Sequence, residues 1–128
     1  MQNARIFLVE DNKTMSHLIC RCLALHGHQV VLKASNLKEA LQVVETGQLE
    51  KNEVDLAIID GNFPNRADDS VDIFAGPIVA QAIKDANLPI PIIAHTSVQR
   101  NQVSYGNTYV EKGDVNRLFI AISELLFD

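Results

Sequence analysis

The sequence predicts an α/β fold in which five strand–helix pairs, (βα)5, form a doubly wound, five-stranded parallel sheet. Short apolar runs recur along the chain, and stretches with apolar residues at helical spacing separate them. The apolar runs do not alternate with polar residues, which indicates strands that are buried on both faces. Right-handed crossovers through helices produce such a sheet, because each crossover places its helix on one face.

Residues that commonly begin or end helices divide the chain into these elements. Asn and Ser are frequent N-caps, Gly-Pro begins a helix with proline in its first turn, and glycine often ends one. The last helix, from Leu118 to Phe127, is amphipathic. The predicted strands are residues 5–9, 29–33, 54–60, 89–97 and 107–112, and the other predicted helices begin after Asn12, after Ser35 or Asn36 and at Gly76, and end at Gly27, at Gly47 and near Asn87.

Composition indicates one globular domain, residues 1–128, in the cytoplasm. The chain has 47% hydrophobic and 21% charged residues, enough for a sizeable core at a length of 128 residues. Its formal net charge is −5 and no run of Lys or Arg occurs, which argues against nucleic acid or an anionic membrane as a partner. The apolar runs are too short to span a bilayer, and the N-terminus lacks the regions of a signal peptide. Cys20 and Cys22 lie two apart in a predicted helix, where their side chains diverge, so both are expected to be reduced.

Two of the connections are expected to be irregular. After the third strand, Pro64 and the polar tract that follows delay the next helix, which leaves a long loop over residues 65–76. Between the fourth and fifth strands, residues 98–107 (VQRNQVSYGN) contain two valines and a glycine, too little for a well-packed helix. The fourth helix is therefore predicted to be short or irregular.

Polar side chains end four of the five strands. Glu10 and Asp11 follow the first strand, Asp60 ends the third, Thr96 the fourth and Lys112 the fifth. The carboxyl ends of parallel strands share one edge, and in open sheets the binding crevice lies there. Three carboxylates in one place repel one another unless a cation lies among them. Oxygen ligands and an open site favour Mg²⁺, so the sequence predicts a magnesium site at this edge.

The same residues suit phosphoryl transfer to a carboxylate. With a cation bound, Asp60 stays ionised as the nucleophile, Lys112 offsets the charge of an incoming phosphoryl group, and Thr96 hydrogen-bonds one of its oxygens. Gly61 is expected to let the chain turn so that the Asn62 carbonyl also faces the metal. These side chains therefore predict a phosphoacceptor site centred on Asp60.

Four short motifs resemble the response-regulator receiver family of two-component signalling, and together they span nearly the whole chain. FLVEDN is similar to the family's acid pair, AIIDGNFP to its phosphoacceptor with proline four residues on, IIAHTS to its switch hydroxyl, and YVEKG to its strand-five lysine. Each motif alone is weak, but all four occur in order and each lies at a strand end. The resemblance implies the flavodoxin-like strand order 2-1-3-4-5.

The resemblance also implies how phosphorylation and metal binding would work. Asp60 would take a phosphoryl group from a phosphohistidine on a sensor histidine kinase or a histidine phosphotransfer protein. Asp11, Asp60 and the Asn62 carbonyl would bind Mg²⁺ directly, and Glu10 would bind it through water. The phosphoryl group would add a charge of roughly −1.5 to −2 at this edge of the sheet.

A switch is implied by the same resemblance. Thr96 would move towards the new phosphate and Tyr109 would rotate inward, which changes binding to a downstream protein target. Lys112 is followed by Gly113, where the family usually has proline, and the shortened fourth connection removes part of the family's usual dimer face. We therefore expect a monomer or a weak dimer, and either a stand-alone receiver or a fragment of a hybrid kinase.

Simpler interpretations of single residues stay open. Thr96 or its neighbour Ser97 could cap the next turn, and Tyr109 could be a half-buried aromatic residue in an edge strand. His95 is expected to be packed with one nitrogen hydrogen-bonded, rather than phosphorylated or bound to a metal. The acidic residues within 68–72 are expected to lie in a solvated, flexible loop rather than to bind calcium.

Three other functions compete with this one. A flavodoxin-type cofactor domain would need a Ser/Thr/Gly loop after the first strand, where this chain has EDN. An aspartyl-phosphate phosphatase would need a second acid where this chain has Asn62, so no enzyme activity is expected beyond the chain's own phosphorylation and dephosphorylation. The serious alternative is a receiver-like protein-interaction module that phosphorylation does not regulate.

Overall fold

A five-stranded parallel sheet forms the centre of the computed structural model, which describes residues 3–127. Its strands lie in the order β2-β1-β3-β6-β7, and every neighbouring pair is parallel. Counting these five strands alone, the order is 2-1-3-4-5, which confirms the predicted topology. The strands are β1 (Arg5–Val9), β2 (Gln29–Ala34), β3 (Leu56–Ile59), β4 (Asn62–Pro64), β5 (Asp72–Phe74), β6 (Ile92–Thr96) and β7 (Thr108–Glu111).

Side-chain caps set the starts of three helices. The Asn12 side chain accepts from the backbone N–H of Met15 at 2.9 Å, and Asn36 caps the second helix in the same way. Asp114 caps the last helix, which therefore begins at Val115, three residues before the predicted start. The helices are α1 (Lys13–Leu25), α2 (Leu37–Glu45), α3 (Gln48–Lys51), α4 (Gly76–Asp85) and α5 (Val115–Leu126), with a 3₁₀ turn over Arg100–Gln102.

Helices cover both faces of the parallel sheet. α1 and α5 pack on one face, where Ile6 and Leu8 of β1 point, and α2, α3 and α4 pack on the other, where Phe7 and Val9 point. All four of these strand side chains are buried. Each fully buried side chain of this size stabilises the fold by about 1.5–3 kcal/mol, so the two cores fix the register of β1. This arrangement confirms the doubly wound architecture.

Two short elements differ from the sequence prediction. After Gly47, which has a φ of +72°, the chain forms the four-residue helix α3 and buries Leu49. Within the long connection after β3, β4 pairs with β5 in an antiparallel hairpin, and Phe63 of β4 is buried. The acidic tract is therefore not wholly irregular, because Asp72 begins β5. Strands of three residues are too short to show a period of two in the sequence.

The connection between β6 and β7 contains the 3₁₀ turn and no α-helix, as predicted. The residues described contain no cis peptide bond, and Gly113 after Lys112 has a φ of +93°. Cys20 and Cys22 are half-buried and unpaired, which agrees with the expectation for reduced cysteines. Among residues 3–127, no helix is both long and apolar enough to cross a membrane.

Candidate functional site

Three acidic residues meet where β1 and β3 end. Val9 and Ile59 are partners in the parallel register, so the residues that follow them, Glu10 and Asp60, lie side by side. One carboxylate oxygen each from Glu10, Asp11 and Asp60 lies within 4.8 Å of the other two. Glu10 and Asp60 are only 4% and 3% exposed, whereas Asp11 is half-buried. The sheet therefore brings the three predicted acids together.

Lys112 connects two of these acids. Its Nζ donates to Asp60 Oδ2 at 2.8 Å and to Glu10 Oε2 at 3.1 Å. Lys112 follows β7, two strands away from β3, so a long side chain is needed to reach Asp60. Burial disfavours its charged form, but the hydrogen bond and charge of Asp60, with those of Glu10, outweigh this and raise the pKa of Lys112.

Hydrogen bonds hold both oxygens of the Asp60 carboxylate. Oδ1 accepts from the backbone N–H of Gly61 at 2.6 Å, and Oδ2 accepts from Lys112. These two hydrogen bonds fix the plane of the carboxylate. Asp60 is thus an oriented anion at the bottom of the site.

Glu10 has one carboxylate oxygen that lacks a protein donor. Oε2 accepts from Lys112 and from the backbone N–H of Asn12, whereas the buried Oε1 has no hydrogen-bond partner among the residues described. Burial, with the charge of Asp60, raises the pKa of Glu10 to about 7. Burial and then the charge of Asp72 raise the pKa of Asp11. A divalent cation would relieve this repulsion and give Oε1 a partner through a bound water, so the residues present fit Mg²⁺.

Thr96 lies against the backbone that follows Asp60. A Cβ added at Gly61 would lie 2.7 Å from the Thr96 hydroxyl oxygen and 3.3 Å from the Phe74 ring. Gly61 is not among the glycines with positive φ, so close packing, rather than the turn expected from the sequence, explains the glycine here. The Thr96 hydroxyl accepts from the backbone N–H of Val98 at 3.2 Å, and Ser97 is exposed.

Two tyrosines lie near the site, and the sequence analysis named only one. Tyr109 is half-buried in β7, and its hydroxyl donates to the Val98 carbonyl at 3.1 Å. Tyr105, in the segment before β7, donates to the carbonyl of Ile59 at 2.7 Å, directly before Asp60. Burial and then the charge of Asp60 raise the pKa of Tyr105, which keeps its phenol protonated as a donor. The one hint of this role in the sequence is that Tyr105 is an aromatic residue in a segment predicted to be irregular.

His95 is packed, as the sequence predicts for a lone histidine in a strand. It is 1% exposed, and its Nε2 accepts from the backbone N–H of Gly113 at 3.0 Å. Burial lowers the pKa of His95 to about 4, although the charge of Asp60 opposes this effect. The ring is therefore neutral near pH 7 and has its proton on Nδ1.

The remaining predicted ligand and the acidic tract lie on the β4–β5 hairpin. Asn62 is half-buried and begins β4, two residues after Asp60; the role of its carbonyl stays a prediction. In the tract, Asp68 and Asp69 are exposed. Of the possible metal-binding clusters within residues 3–127, the one found is that of Glu10, Asp11 and Asp60, and the tract does not form one.

Comparison with known proteins identifies the family of the chain. The sequence profile of the "response regulator receiver domain" matches residues 6–118. The curated transcriptional regulatory protein YvrH of Bacillus subtilis is 37% identical over 60 residues, which is 47% of this chain and 23% of that protein. This chain thus aligns with less than a quarter of that relative.

The chain covers nearly the whole length of two solved structures that share its fold. Response regulator TrrA of Thermotoga maritima, solved in complex with Mg²⁺-BeF, superposes with a TM-score of 0.76 at 26% identity, over 96% of this chain and 99% of that one. The receiver domain of the hybrid histidine kinase CckA gives a TM-score of 0.69 at 24% identity, over 94% and 96% of the two chains.

Proposed function

Because the chain belongs to the response regulator receiver family, we propose that it is a phosphoacceptor in a two-component or phosphorelay system, with Asp60 as the acceptor. The observation that carries the proposal is the position of the Asp60 carboxylate. It accepts a hydrogen bond from Lys112 and lies in one acidic cluster with Glu10 and Asp11. A buried anion with this surrounding suits acceptance of a phosphoryl group better than a structural role.

The proposed reaction transfers a phosphoryl group from a phosphohistidine on a sensor histidine kinase or a histidine phosphotransfer protein. An oxygen of Asp60 attacks the phosphorus, and the P–N bond to the imidazole breaks. The imidazole leaves with the electron pair of that bond and takes up a proton. Lys112 neutralises negative charge on the acceptor and on the transferred group, and the Gly61 N–H keeps the carboxylate oriented.

Residues of the acidic cluster would hold Mg²⁺ during this reaction. We assign direct contacts to Asp11, Asp60 and the Asn62 carbonyl, and a contact through water to Glu10. The buried Glu10 Oε1 without a protein donor supports this assignment. When bound, the ion supplies positive charge to the oxygens of the transferred group.

Thr96 and Tyr109 are the proposed switch residues. The Thr96 hydroxyl lies beside Gly61, so it can reach an oxygen of a phosphoryl group on the neighbouring Asp60. Its present hydrogen bond with Val98 N–H and the Tyr109 bond with the Val98 carbonyl both involve the same residue. Movement of Thr96 would therefore change the loop that Tyr109 contacts. The output would be altered binding of a protein target in the cytoplasm, by a monomer or weak dimer.

Phosphorylation by a small phosphodonor tests this function without a cognate kinase. Acetyl phosphate with millimolar Mg²⁺ is expected to add one phosphoryl group to the wild type, detected by intact mass and mapped to Asp60. Asp60→Asn should abolish the modification and leave the circular dichroism spectrum unchanged. Asp68→Asn, in the exposed tract, is the matched control and should be phosphorylated normally. Modification of a residue other than Asp60 would refute the proposal.

The alternative is an interaction module that phosphorylation does not regulate. The connection between β6 and β7 favours it, because a single 3₁₀ turn replaces the helix that a regular crossover would contain. Beryllofluoride with Mg²⁺ separates the two functions. A phosphoacceptor should show nuclear magnetic resonance shifts at Asp60, Thr96 and Tyr109, whereas the module would show none at millimolar Mg²⁺.

A further inference from the structure

The peptide group that joins Ile59 to Asp60 is held at both ends by hydrogen bonds. Its N–H, which belongs to Asp60, donates to the Val9 carbonyl of β1 at 3.0 Å. Its carbonyl, which belongs to Ile59, accepts from the Tyr105 hydroxyl at 2.7 Å. The first bond continues the ladder between β1 and β3, whereas the second comes from outside the sheet, because Tyr105 precedes β7. The orientation of this peptide group therefore depends on Tyr105 as well as on the sheet.

The backbone on the other side of Asp60 is also closely packed. Gly61 donates its N–H to Asp60 Oδ1 at 2.6 Å, and its carbonyl accepts from the N–H of Gly76 at 3.0 Å. A Cβ added at Gly76 would lie 2.6 Å from the Asp60 carbonyl oxygen and 2.9 Å from the Tyr105 hydroxyl oxygen. The Asp60 carbonyl and the Tyr105 hydroxyl thus flank the same residue. Tyr105 therefore lies close to both peptide groups of Asp60.

Contacts around the ring give the Tyr105 hydroxyl a defined position. The ring packs edge-on against Phe74, with centroids 6.4 Å apart and planes at 72°. It also packs against the buried core on the α4 face of the sheet. Burial, and then the charges of Asp60 and Glu10, raise the pKa of Tyr105, so the phenol stays protonated and able to donate. A hydroxyl that is fixed in place and protonated is suited to orienting a neighbouring group.

The orientation of the Asp60 carboxylate is the property that this hydroxyl can control. The acidic cluster forms from residues that follow β1 and β3, and Lys112 reaches it from β7, so Tyr105 is not needed to bring the charged groups together. Only one carbon separates Cα from the carboxyl group of an aspartate. A tilt of the peptide group before Asp60 would therefore displace its carboxylate oxygens directly, and transfer depends steeply on the alignment of the reacting atoms.

We propose that Tyr105 is a positioning residue for phosphoryl transfer to Asp60. Its hydroxyl holds the peptide group before Asp60 and so directs a carboxylate oxygen at the phosphorus atom. With acetyl phosphate as donor, that oxygen forms a bond to phosphorus, the bond from phosphorus to the acetyl oxygen breaks, and acetate leaves with the electron pair. Tyr105 acts through the backbone and takes no part in these bond changes. This inference rests on the proposed function, because it concerns the rate at which Asp60 accepts a phosphoryl group.

Tyr105→Phe tests the proposal, because it removes the hydroxyl and keeps the ring that packs against Phe74. The maximal rate of phosphorylation by acetyl phosphate at saturating Mg²⁺ should fall about fivefold, since a displacement of about 1 Å costs about 100-fold and the loss of one hydrogen bond should move the peptide group by less. The acetyl phosphate concentration that gives half of the maximal rate should change by less than about twofold, because Lys112 and the bound ion, which attract the donor, are unchanged.

Ile122→Val is the matched control for a loss of stability. Ile122 is buried in α5, on the opposite face of the sheet from Tyr105, and the change removes one methyl group from the core. Its phosphorylation rates should equal those of the wild type. The nitrogen chemical shift of the Asp60 amide gives a second measurement, because this nitrogen shares a peptide group with the Ile59 carbonyl. The shift should change in Tyr105→Phe and should stay the same in Ile122→Val.

Three results would overturn this inference and leave the proposed function in place. Phosphorylation of Tyr105→Phe at the wild-type rate would mean that the hydroxyl only stabilises the fold. Equal slowing in Ile122→Val would mean that lost stability, and not the hydrogen bond, slows the reaction. A higher half-saturating concentration with an unchanged maximal rate would mean that Tyr105 affects donor binding. If acetyl phosphate does not modify Asp60 in the wild type, the proposed function is wrong, and this inference is wrong with it.

Discussion

The connections that leave β3 and β6 start at the same edge of the sheet but differ in structure. Residues 60–75, after β3, contain an antiparallel hairpin and bury Phe63. Residues 97–107, after β6, contain one 3₁₀ turn and no buried residue. The two connections meet where Phe74 of the first packs against Tyr105 of the second. The first connection contains regular structure where the sequence predicts a loop, and the second lacks the helix that a regular crossover would contain.

This difference shows that the acidic cluster depends on the strands and not on the structure of the two connections. The acidic cluster depends on β1 and β3, and Lys112 reaches it from β7, so neither connection has to be regular for the cluster to form. The shorter connection, residues 97–107, is instead tied to β3 by the hydroxyl of Tyr105, which donates to the Ile59 carbonyl. The expanded connection supplies the surface next to Asp60. Four predictions test this division, from the largest expected effect to the smallest.

Acidification should lower the free energy of unfolding through His95, which lies in β6 just before the shorter connection. The folded-state pKa of His95 is about 4, below the unfolded value of 6.5, so the folded protein binds fewer protons between these values. The stability that neutral His95 contributes is present above pH 6.5 and is lost as pH falls towards 4, by about 3 kcal/mol in all. Urea unfolding at pH 7.5, 5.5 and 4.5 measures this change.

The matched variant for this prediction is His95→Gln. It should be less stable than the wild type at pH 7.5 but should lose less stability on acidification. Glu10, whose pKa is raised to about 7, has the opposite effect, because its protonated form is favoured in the fold and stability falls as pH rises from 4.5 to 7. That effect is common to both proteins and cancels in their difference. If the free energy of unfolding changed with pH in the same way in both proteins, the role given to His95 would be wrong.

Gly76→Ala should strain the junction of the two connections. An added Cβ would lie 2.6 Å from the Asp60 carbonyl oxygen and 2.7 Å from the Tyr105 ring. We expect a loss of about 2 kcal/mol in the free energy of unfolding, although alanine is the better helix former. Gly47→Ala is the control, because its Cβ would meet nothing within 4 Å and its cost comes from a φ of +72° alone. Only Gly76→Ala should also slow phosphorylation by acetyl phosphate.

Tyr105→Phe should cost more stability than Tyr109→Phe. The first change leaves the Ile59 carbonyl without its tyrosine donor beside a buried acid, and we expect a loss of about 1 kcal/mol. The second removes a 3.1 Å bond to Val98, which is half-buried, and should cost about 0.5 kcal/mol or less. Urea midpoints of the two variants make the comparison, and the reverse order would show that Tyr105 does not tie the shorter connection.

Asp72→Asn should weaken Mg²⁺ binding by about twofold, because Asp72 adds negative potential at Asp11 from an exposed position. Calorimetric titration with Mg²⁺ at low ionic strength measures the effect, and added salt should reduce it. Asp68→Asn is the control and should leave the affinity unchanged. Equal weakening by both variants would mean that the net charge of the chain matters, and not the position of β5.

The sequence by itself determined the five-stranded sheet, its two helical layers and the residues of the acidic cluster. Non-alternating apolar runs report burial on both faces, and polar residues at strand ends necessarily share an edge in a parallel sheet. Asn12 as a helix cap and His95 as a packed residue were also predictable, because both roles depend on local sequence.

Tertiary structure alone decided the β4–β5 pairing, the exposure of Val71, the close packing around Gly61 and the role of Tyr105. Each depends on groups that are distant in the chain: Tyr105 and its acceptor Ile59 are 46 residues apart, and Gly61 is crowded by Thr96 and Phe74. A three-residue strand has no measurable period, and a contact between distant residues has no local pattern. Such features follow from packing, so they appear only once the two cores have placed the strands.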